Sequence, residues 1–457
     1  MTVHPKQSQT GEYMKNKDKT KTVVIFTVLF AVIAFNSVDK ANAEDGTIPG
    51  VTTEMVSIKS FEKESTPSSF ANNTEAESAS ASTAAEEDEP SLHVGGAVRY
   101  NLILQAYESD IDGNSGDFTW DTWRINAVYD NPGGIGLNFE YRFYPTFDTH
   151  FIKQGWLEYD LTDEWQTQLG VAQVPFGNLQ YNSNNWWFQL PYYVGLEDDH
   201  NMGIKFTNTT EDYQLDFAYF YSQEPFGPPG YAGTYSYNVN PSETIIGSQA
   251  SLIERNQFNI RGAYNIDAGE IGASLEVGQL YNQVTDEFDG RFAGAVHGEF
   301  NIGGLNIKPQ VLYYSMDAHD DAGNELEAVG MGAYGVSADF YHVATEAYIA
   351  SLGIARNVSV DIGPITDLTF YNDFSYMGKL VGEDFTGDDN FEATIHNITG
   401  FLITAGPVFT YVDVAQGVNQ PWLTDSFGTG LGPGHEDLGM GDSEYNMRFN
   451  INIGYYF

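Results

Sequence analysis

From Ser91 to the last residue, polarity alternates with a period of two, segment after segment, and no other feature constrains the fold as tightly. In the run from Ile135 to Phe143 every odd position is apolar or aromatic, while Gly136, Asn138, Glu140 and Arg142 take the even ones. Tyr213, Leu215, Phe217, Tyr219 and Tyr221 alternate with Gln214, Asp216, Ala218, Phe220 and Ser222. The last segment sets Met447, Phe449, Ile451, Ile453, Tyr455 and Phe457 on one face, with Arg448, Asn450, Asn452 and Gly454 on the other. Successive side chains of a strand point to opposite faces, so these segments read as antiparallel strands with one apolar and one polar side. On alternation alone, a large soluble β-sandwich or propeller fits equally well.

The first 90 residues follow different rules. Lys15, Lys17, Lys19 and Lys21 precede an apolar run of 13 residues, Val23 to Phe35, and Ala41, Asn42 and Ala43 form a small-residue cleavage signal. This reads as a secretory signal peptide over 1–43, because the apolar run is too short to cross a bilayer as a helix. Met14 stands directly before the basic run, so Met1 or Met14 could be the start. From 44 to 90, Ser, Thr, Ala and Glu make up 29 of 47 residues, and Phe61 and Phe70 are the sole aromatics. Such a segment buries too little apolar surface to offset its ordering entropy, so a disordered acidic linker is expected there. The barrel domain is expected over 91–457, where no stretch reaches the apolar length of a membrane-spanning helix.

Three features favour a membrane barrel over a sandwich. Polar residues on one face with aromatics at the strand ends suit a lumen and interfacial girdles. Tight turns, such as those at Asn131 to Gly134, Gly303-Gly304 and Gly406-Pro407, alternate with long acidic, glycine-rich loops. The chain also ends at Phe457, on the apolar face of its last strand, as bacterial outer-membrane assembly signals do. Sixteen strands are expected, the first at 92–107 and the last at 444–457, a number that leaves a water-filled channel where eight strands would be filled by side chains. The formal charge of −43 repels phosphate backbones and excludes nucleic acid as a partner. With no Cys there is no disulfide framework and no thiolate site.

Three stretches then carry a resemblance: Gly170 to Gly177, Tyr192 to Asp199, and Met447 to Phe457. Across about 92–457 the chain resembles Gram-negative trimeric outer-membrane porins, nearest the phosphate-selective porin O/P-like group. The resemblance implies a 16-stranded barrel, a homotrimer in the outer membrane, and a third external loop folded into the pore. Lipid bilayer, lipopolysaccharide and the outer-membrane assembly machinery are the expected partners. The connection from Val174 to Asn201 suits the infolded loop, since it holds Trp186, Trp187, Phe188, Tyr192 and Tyr193, which would form an apolar patch if left on the surface.

Residues 91–457 hold 12 Lys and Arg against 49 Asp and Glu. Strand parity turns eight basics inward: Arg99, Arg124, Arg142, Lys205, Arg255, Arg261, Lys308 and Arg448. Arg99, Arg124 and Arg142 lie on the first three strands, so a basic stripe facing Glu197, Asp198 and Asp199 across the constriction is one expectation. The other is that these arginines pair with Glu140, Glu158 and Asp160 on the wall. Anion selection needs an unbalanced basic lumen. Here Glu140, Asp216, Glu276, Glu299, Asp373 and Asp413 face in as well, and 317–327 and 383–389 make the mouth negative. Weak cation preference is therefore expected, against the phosphate preference of the group.

Other motifs carry less. Gly330, Gly332 and Gly335 match G-x-G-x-x-G but open no helix after a strand, so the match is chance. Asp110, Asp112 and Asn114 resemble the start of a calcium loop, but glycine falls at position seven and Asp121 at position twelve. A Ca²⁺ there is the one cofactor the sequence suggests, and otherwise none is expected. His297 and His396 face the lumen singly, and no positioned nucleophile accompanies Glu197, Asp198 and Asp199, so no enzyme is expected. The leading reading is a channel for passive diffusion of small hydrophilic solutes. The alternatives are a channel preferring phosphate or carbohydrate, and a structural or adhesive barrel.

Overall fold

The computed structural model describes residues 90–105, 118–131, 133–225, 234–240, 242–243, 249–334, 340–381, 393–420 and 445–457. The leader, the linker before Pro90, the calcium-loop candidates Asp110, Asp112 and Asn114, and the acidic run 383–389 lie outside them. Sixteen strands form a closed antiparallel barrel. They are β1 Ser91–Gln105, β2 Phe118–Asp130, β3 Ile135–Tyr144, β4 Thr149–Asp160, β5 Trp165–Gln173 and β6 His200–Thr209. Next come β7 Tyr213–Gln223, β8 Leu252–Ile266, β9 Gly269–Asn282, β10 Phe288–Ile302 and β11 Leu305–Met316. The ring is completed by β12 Glu346–Ile362, β13 Ile365–Lys379, β14 Thr394–Ala405, β15 Val408–Val418 and β16 Tyr445–Tyr456.

Each strand pairs with its chain neighbour, and β16 pairs back onto β1 with Arg99 opposite Gly454. Phe457 carries the pairing one residue further, exchanging both backbone bonds with Gly96 at 2.9 and 3.0 Å. Closure leaves no strand edge to satisfy by other means. The connections differ sharply between the two ends. At one end they are turns such as 267–268, 303–304 and 406–407, and at the other lie 174–199, 224–251 and 317–345.

The exterior is apolar, with Leu92, Ile125, Leu169, Phe258, Val277, Val296 and Val311 exposed, Val296 at 69%. The alternate positions face in and are largely polar: Asn101, Thr122, Asp216, Arg261, Glu276, Asp373, Ser375, Asp413 and Asn452 are all buried. A barrel with lipid-like chemistry outside and water-like chemistry inside inverts a soluble protein, in which apolar side chains fill the core.

Bulges shift the phase at several places. Glu140 opposes Gln154 while Tyr141 opposes Ile152, which leaves Lys153 as the extra residue of β4. In β8 the register slips between Arg255 and Phe258, and Asn256 there has φ +48°.

Candidate functional site

The connection 174–199 does not leave the barrel but crosses its interior. Gly177 starts the crossing with φ +67°, and a Cβ there would collide with the Gln310 amide, so glycine suits both the turn and the close approach. Its carbonyl accepts from Arg261 Nε at 2.8 Å, and its N–H donates to Ser274 Oγ at 3.1 Å. Asn178 donates to the Gly298 carbonyl and faces His297 Nδ1 at 3.2 Å. Lys308 donates to the Tyr181 carbonyl at 3.3 Å. Gly353 on β12 leaves room for the chain, since a Cβ would sit 2.8 Å from the Asn182 carbonyl oxygen.

The crossing is fixed at its centre by one carboxylate. Asp373 of β13 accepts from the backbone N–H of Asn184 and Asn185, at 2.7 and 3.0 Å, and from both side-chain amides at 2.7 Å. Beyond it the chain reaches the wall at the seam of β16 and β1. Trp186 lies under Arg99, 3.6 Å from guanidinium carbon to ring centre, and 5.2 Å from Arg124. Trp187 stacks under Arg448 at 4.0 Å. The chain returns through the short helix α1, Leu190–Tyr193, whose Leu190 N–H donates to Ser375 Oγ at 3.2 Å.

Two further connections pack on top of α1. The segments Asn238–Val239, Ala328–Gly332 and Phe340–Ala344 form a small three-stranded sheet. Tyr235, Tyr237, Tyr334 and Tyr341 from these connections gather round Tyr192 and Tyr193, and Tyr192 and Tyr334 share a hydroxyl hydrogen bond. Toward the turn end a cavity of about 340 Å³ remains, lined by Glu299, Asn301, Asn306, Asn357, Asp367 and Thr369 among others.

Arg99, Arg124 and Arg142 stand on adjacent strands, with Arg124 directly opposite Arg142. What meets Arg99 and Arg124 is the indole of Trp186, not a carboxylate of the loop. Arg99 bonds Asp121 at 3.3 Å and the Tyr456 hydroxyl, and Arg142 bonds Glu140 and the Tyr144 hydroxyl. Of the three loop acids, Asp198 comes nearest the stripe. Its carboxylate takes Lys153 at 3.3 Å and the Tyr235 hydroxyl at 2.6 Å, and Arg142 lies 4.5 Å over that Tyr235 ring. Asp199 sits elsewhere, accepting from Asn201 at 3.0 Å; burial, with Glu254, Glu224 and Glu276 around it, pushes its carboxyl well above the usual range.

Glu197 folds back onto its own loop, accepting from Ser183 N–H and Oγ at 3.0 and 2.6 Å. Burial raises its pKa to about 7 from an ordinary 4.5, the Ser183 bonds oppose the rise, and Asp373 and Asp198 add to it. The folded chain thus keeps a proton that the unfolded chain has lost, so stability present at low pH is lost as pH climbs from 4.5 to about 7. At 1.36 kcal/mol per pH unit that is about 3 kcal/mol. Glu197→Gln is expected to lose less stability between pH 5 and pH 8 than the parent chain, as circular dichroism would record, the loss that remains belonging to other buried loop acids such as Asp199 and Glu224.

Strand parity misplaces several basics. Arg255 faces outward, because the bulge at Asn256 reverses the phase between Glu254, which is buried, and Gln257, also buried. Lys153 faces in for the same reason, as the bulge residue of β4. The sequence signal for it is the switch from an outward Ile152 to an outward Leu157, which a period of two cannot join. Arg291 and Lys379 also face in. Arg291 shares the phase of His297 and bonds Glu254 and Glu276, while Lys379 lies past the expected end of its strand and bonds Thr394 at 2.8 Å. Lys205 donates to the Gln173 carbonyl at 3.2 Å, and Arg261 also bridges Asp216 and Glu270 at 3.6 and 3.0 Å.

No family model matches the sequence, and no curated protein matches it. Among solved structures, the outer membrane channel DcaP of Acinetobacter baumannii aligns over 80% of this chain and 97% of its own, with a TM-score of 0.51 and 13% identity. The two share the fold of a closed antiparallel β-barrel. An anion-selective porin from Comamonas acidovorans and the outer-membrane expressed OmpT of Vibrio cholerae each align at a TM-score of 0.48, with 11% and 12% identity. They cover 81% and 82% of this chain and 100% and 99% of their own. At such identity the likeness to DcaP concerns the fold, and residue roles come from this chain's own geometry.

Proposed function

We propose that the chain forms a channel in the outer membrane of a Gram-negative bacterium, passing small hydrophilic solutes and ions by passive diffusion with a weak preference for cations. The observation that carries the reading is a closed sixteen-stranded barrel with an apolar outside and a charged, amide-rich inside. A ring of that size holds a lumen wider than its own side chains fill, and here the infolded connection narrows it. The resemblance adds a homotrimer, with Phe457 as the assembly signal, and no enzymatic activity.

Cation preference is supported by where the basics sit. Arg99, Arg142, Lys153, Arg261 and Arg291 each have a carboxylate within salt-bridge distance, which offsets the positive field that these five would offer an anion. Asp373 and Asp413 line the same interior. A planar-bilayer recording in a KCl gradient tests this: the reversal potential is expected on the cation side. An anion-side value would mean that Arg99, Arg124 and Arg142 set the field, and the phosphate-preferring reading would replace this one.

The cavity at the turn end favours a second reading, a carbohydrate-preferring channel. Its amides, hydroxyls and two carboxylates are the groups that bind polyhydroxylated solutes. Conductance that falls saturably as sugar is added would support it.

A further inference from the structure

Arg255, a cation of the wall, points away from the lumen. The bulge at Asn256 turns Arg255 to the exterior, its guanidinium carbon 5.6 Å from the centre of the Tyr221 ring, which is 62% exposed. Beside it, Asn256 donates from Nδ2 to Gln279 Oε1 at 2.9 Å and accepts from the Tyr219 hydroxyl at 3.0 Å. Tyr219, Asn256, Phe258 and Gln279 line a notch of about 430 Å³ in the outer face. The surrounding surface consists of Phe217, Ile260, Leu275, Val277 and Phe292, so a cation and two amides stand out from it.

The level of the notch explains why these groups are tolerated. Arg255 lies three residues from the loop end of β8, level with Tyr221, Tyr281 and Phe288 at the aromatic belt. Lipid-facing charge is costly at mid-depth and close to neutral at the interface. Arg255 makes no ion pair among the described residues, and its one described hydrogen bond goes to the Glu254 carbonyl at 3.2 Å. Most of its five N–H donors thus remain for a ligand. Asp286, bonded by the Tyr281 hydroxyl, is the nearby acid on this rim.

We propose that this notch binds the phosphorylated headgroup of an outer-leaflet lipid. Arg255 takes the phosphate in a charge-assisted bond. Asn256, Gln279 and Tyr219 take headgroup hydroxyls, and Phe258 lies along the acyl chain. The proposal rests on the reading that the barrel stands in an outer membrane.

The test uses the full chain inserted into phosphatidylcholine vesicles containing either lipid A or its dephosphorylated form. After extraction, native mass spectrometry counts the lipid retained per barrel. The parent chain is expected to hold lipid A about tenfold more tightly than Arg255→Gln, and the dephosphorylated form no better than that variant. Asn256→Gly keeps the left-handed backbone while removing the amide, and is expected to weaken retention too. Arg356→Gln, on an outward position near the turn end of β12, is expected to match the parent chain. Normal insertion with equal lipid A retention by parent and Arg255→Gln overturns the notch alone. A change of oligomeric state in Arg255→Gln without a change in lipid would place a second copy there instead, and also overturns it. Failure of every variant to enter vesicles overturns the membrane reading, and the proposal with it.

Discussion

Asp373→Ala is expected to release the infolded connection and give a larger, noisier single-channel current than the parent chain. The carboxylate is fully buried and holds four donors, two of them backbone N–H groups of Asn184 and Asn185. Hydrogen bonds to a charged acceptor are each worth about 1.5–3 kcal/mol, and stranding buried donors adds their desolvation penalty. Allowing for non-additivity, a loss of roughly 4 kcal/mol is expected. The barrel strands keep their own ladder, so strand content by circular dichroism should hold while the loop detaches. Asp373→Asn retains one carbonyl acceptor and should fall between. An unchanged current in the alanine variant would mean that the wall contacts at Arg261, Lys308 and Ser375 suffice without it.

The second large effect is expected from Trp186→Ala. The indole separates the lumen from Arg99 and Arg124, and each guanidinium gains about 0.5–2 kcal/mol from the ring face. Without it the two cations border open water, and the gap between loop and wall widens. Conductance should rise, and the reversal potential in a KCl gradient should move toward anions. Adding Arg124→Gln should undo part of that movement, because Arg124 is only half-buried and can face the solute. A reversal potential unmoved by Trp186→Ala would mean that the selective region lies elsewhere, and the loop mouth would be the place to look.

Much of the architecture was legible in the sequence because one rule generates it. Alternation in 134–144 or 444–457 needs no tertiary information, and short turns versus long connections sort the two ends of the barrel. The infolded loop was legible as well, from five aromatics that had no surface use. What a period of two cannot carry is a change of phase. Lys153 and Arg255 exchange faces because one extra residue enters each strand, and the extra residue obeys backbone register with β3 and β9 rather than its own chemistry. The partners of the loop acids were hidden for a different reason. Whether Asp198 meets Lys153 or Arg142 depends on where Tyr235 lands, and Tyr235 comes from a connection whose course no local pattern records.

The seam between β1 and β16 sets the order in which the sheet can be completed. Gly96 and Phe457 exchange backbone bonds although nearly the whole barrel separates them along the chain. Every other ladder joins neighbours through a turn or a loop, so hairpins can form locally and early. The seam must wait for all of them, since loop-closure entropy is repaid only when the ends already lie close. Until then β1 and β16 are two open edges, each with a row of unpaired N–H and C=O groups able to add a foreign strand. The joining of the two ends is therefore expected to be the last step in completing the sheet.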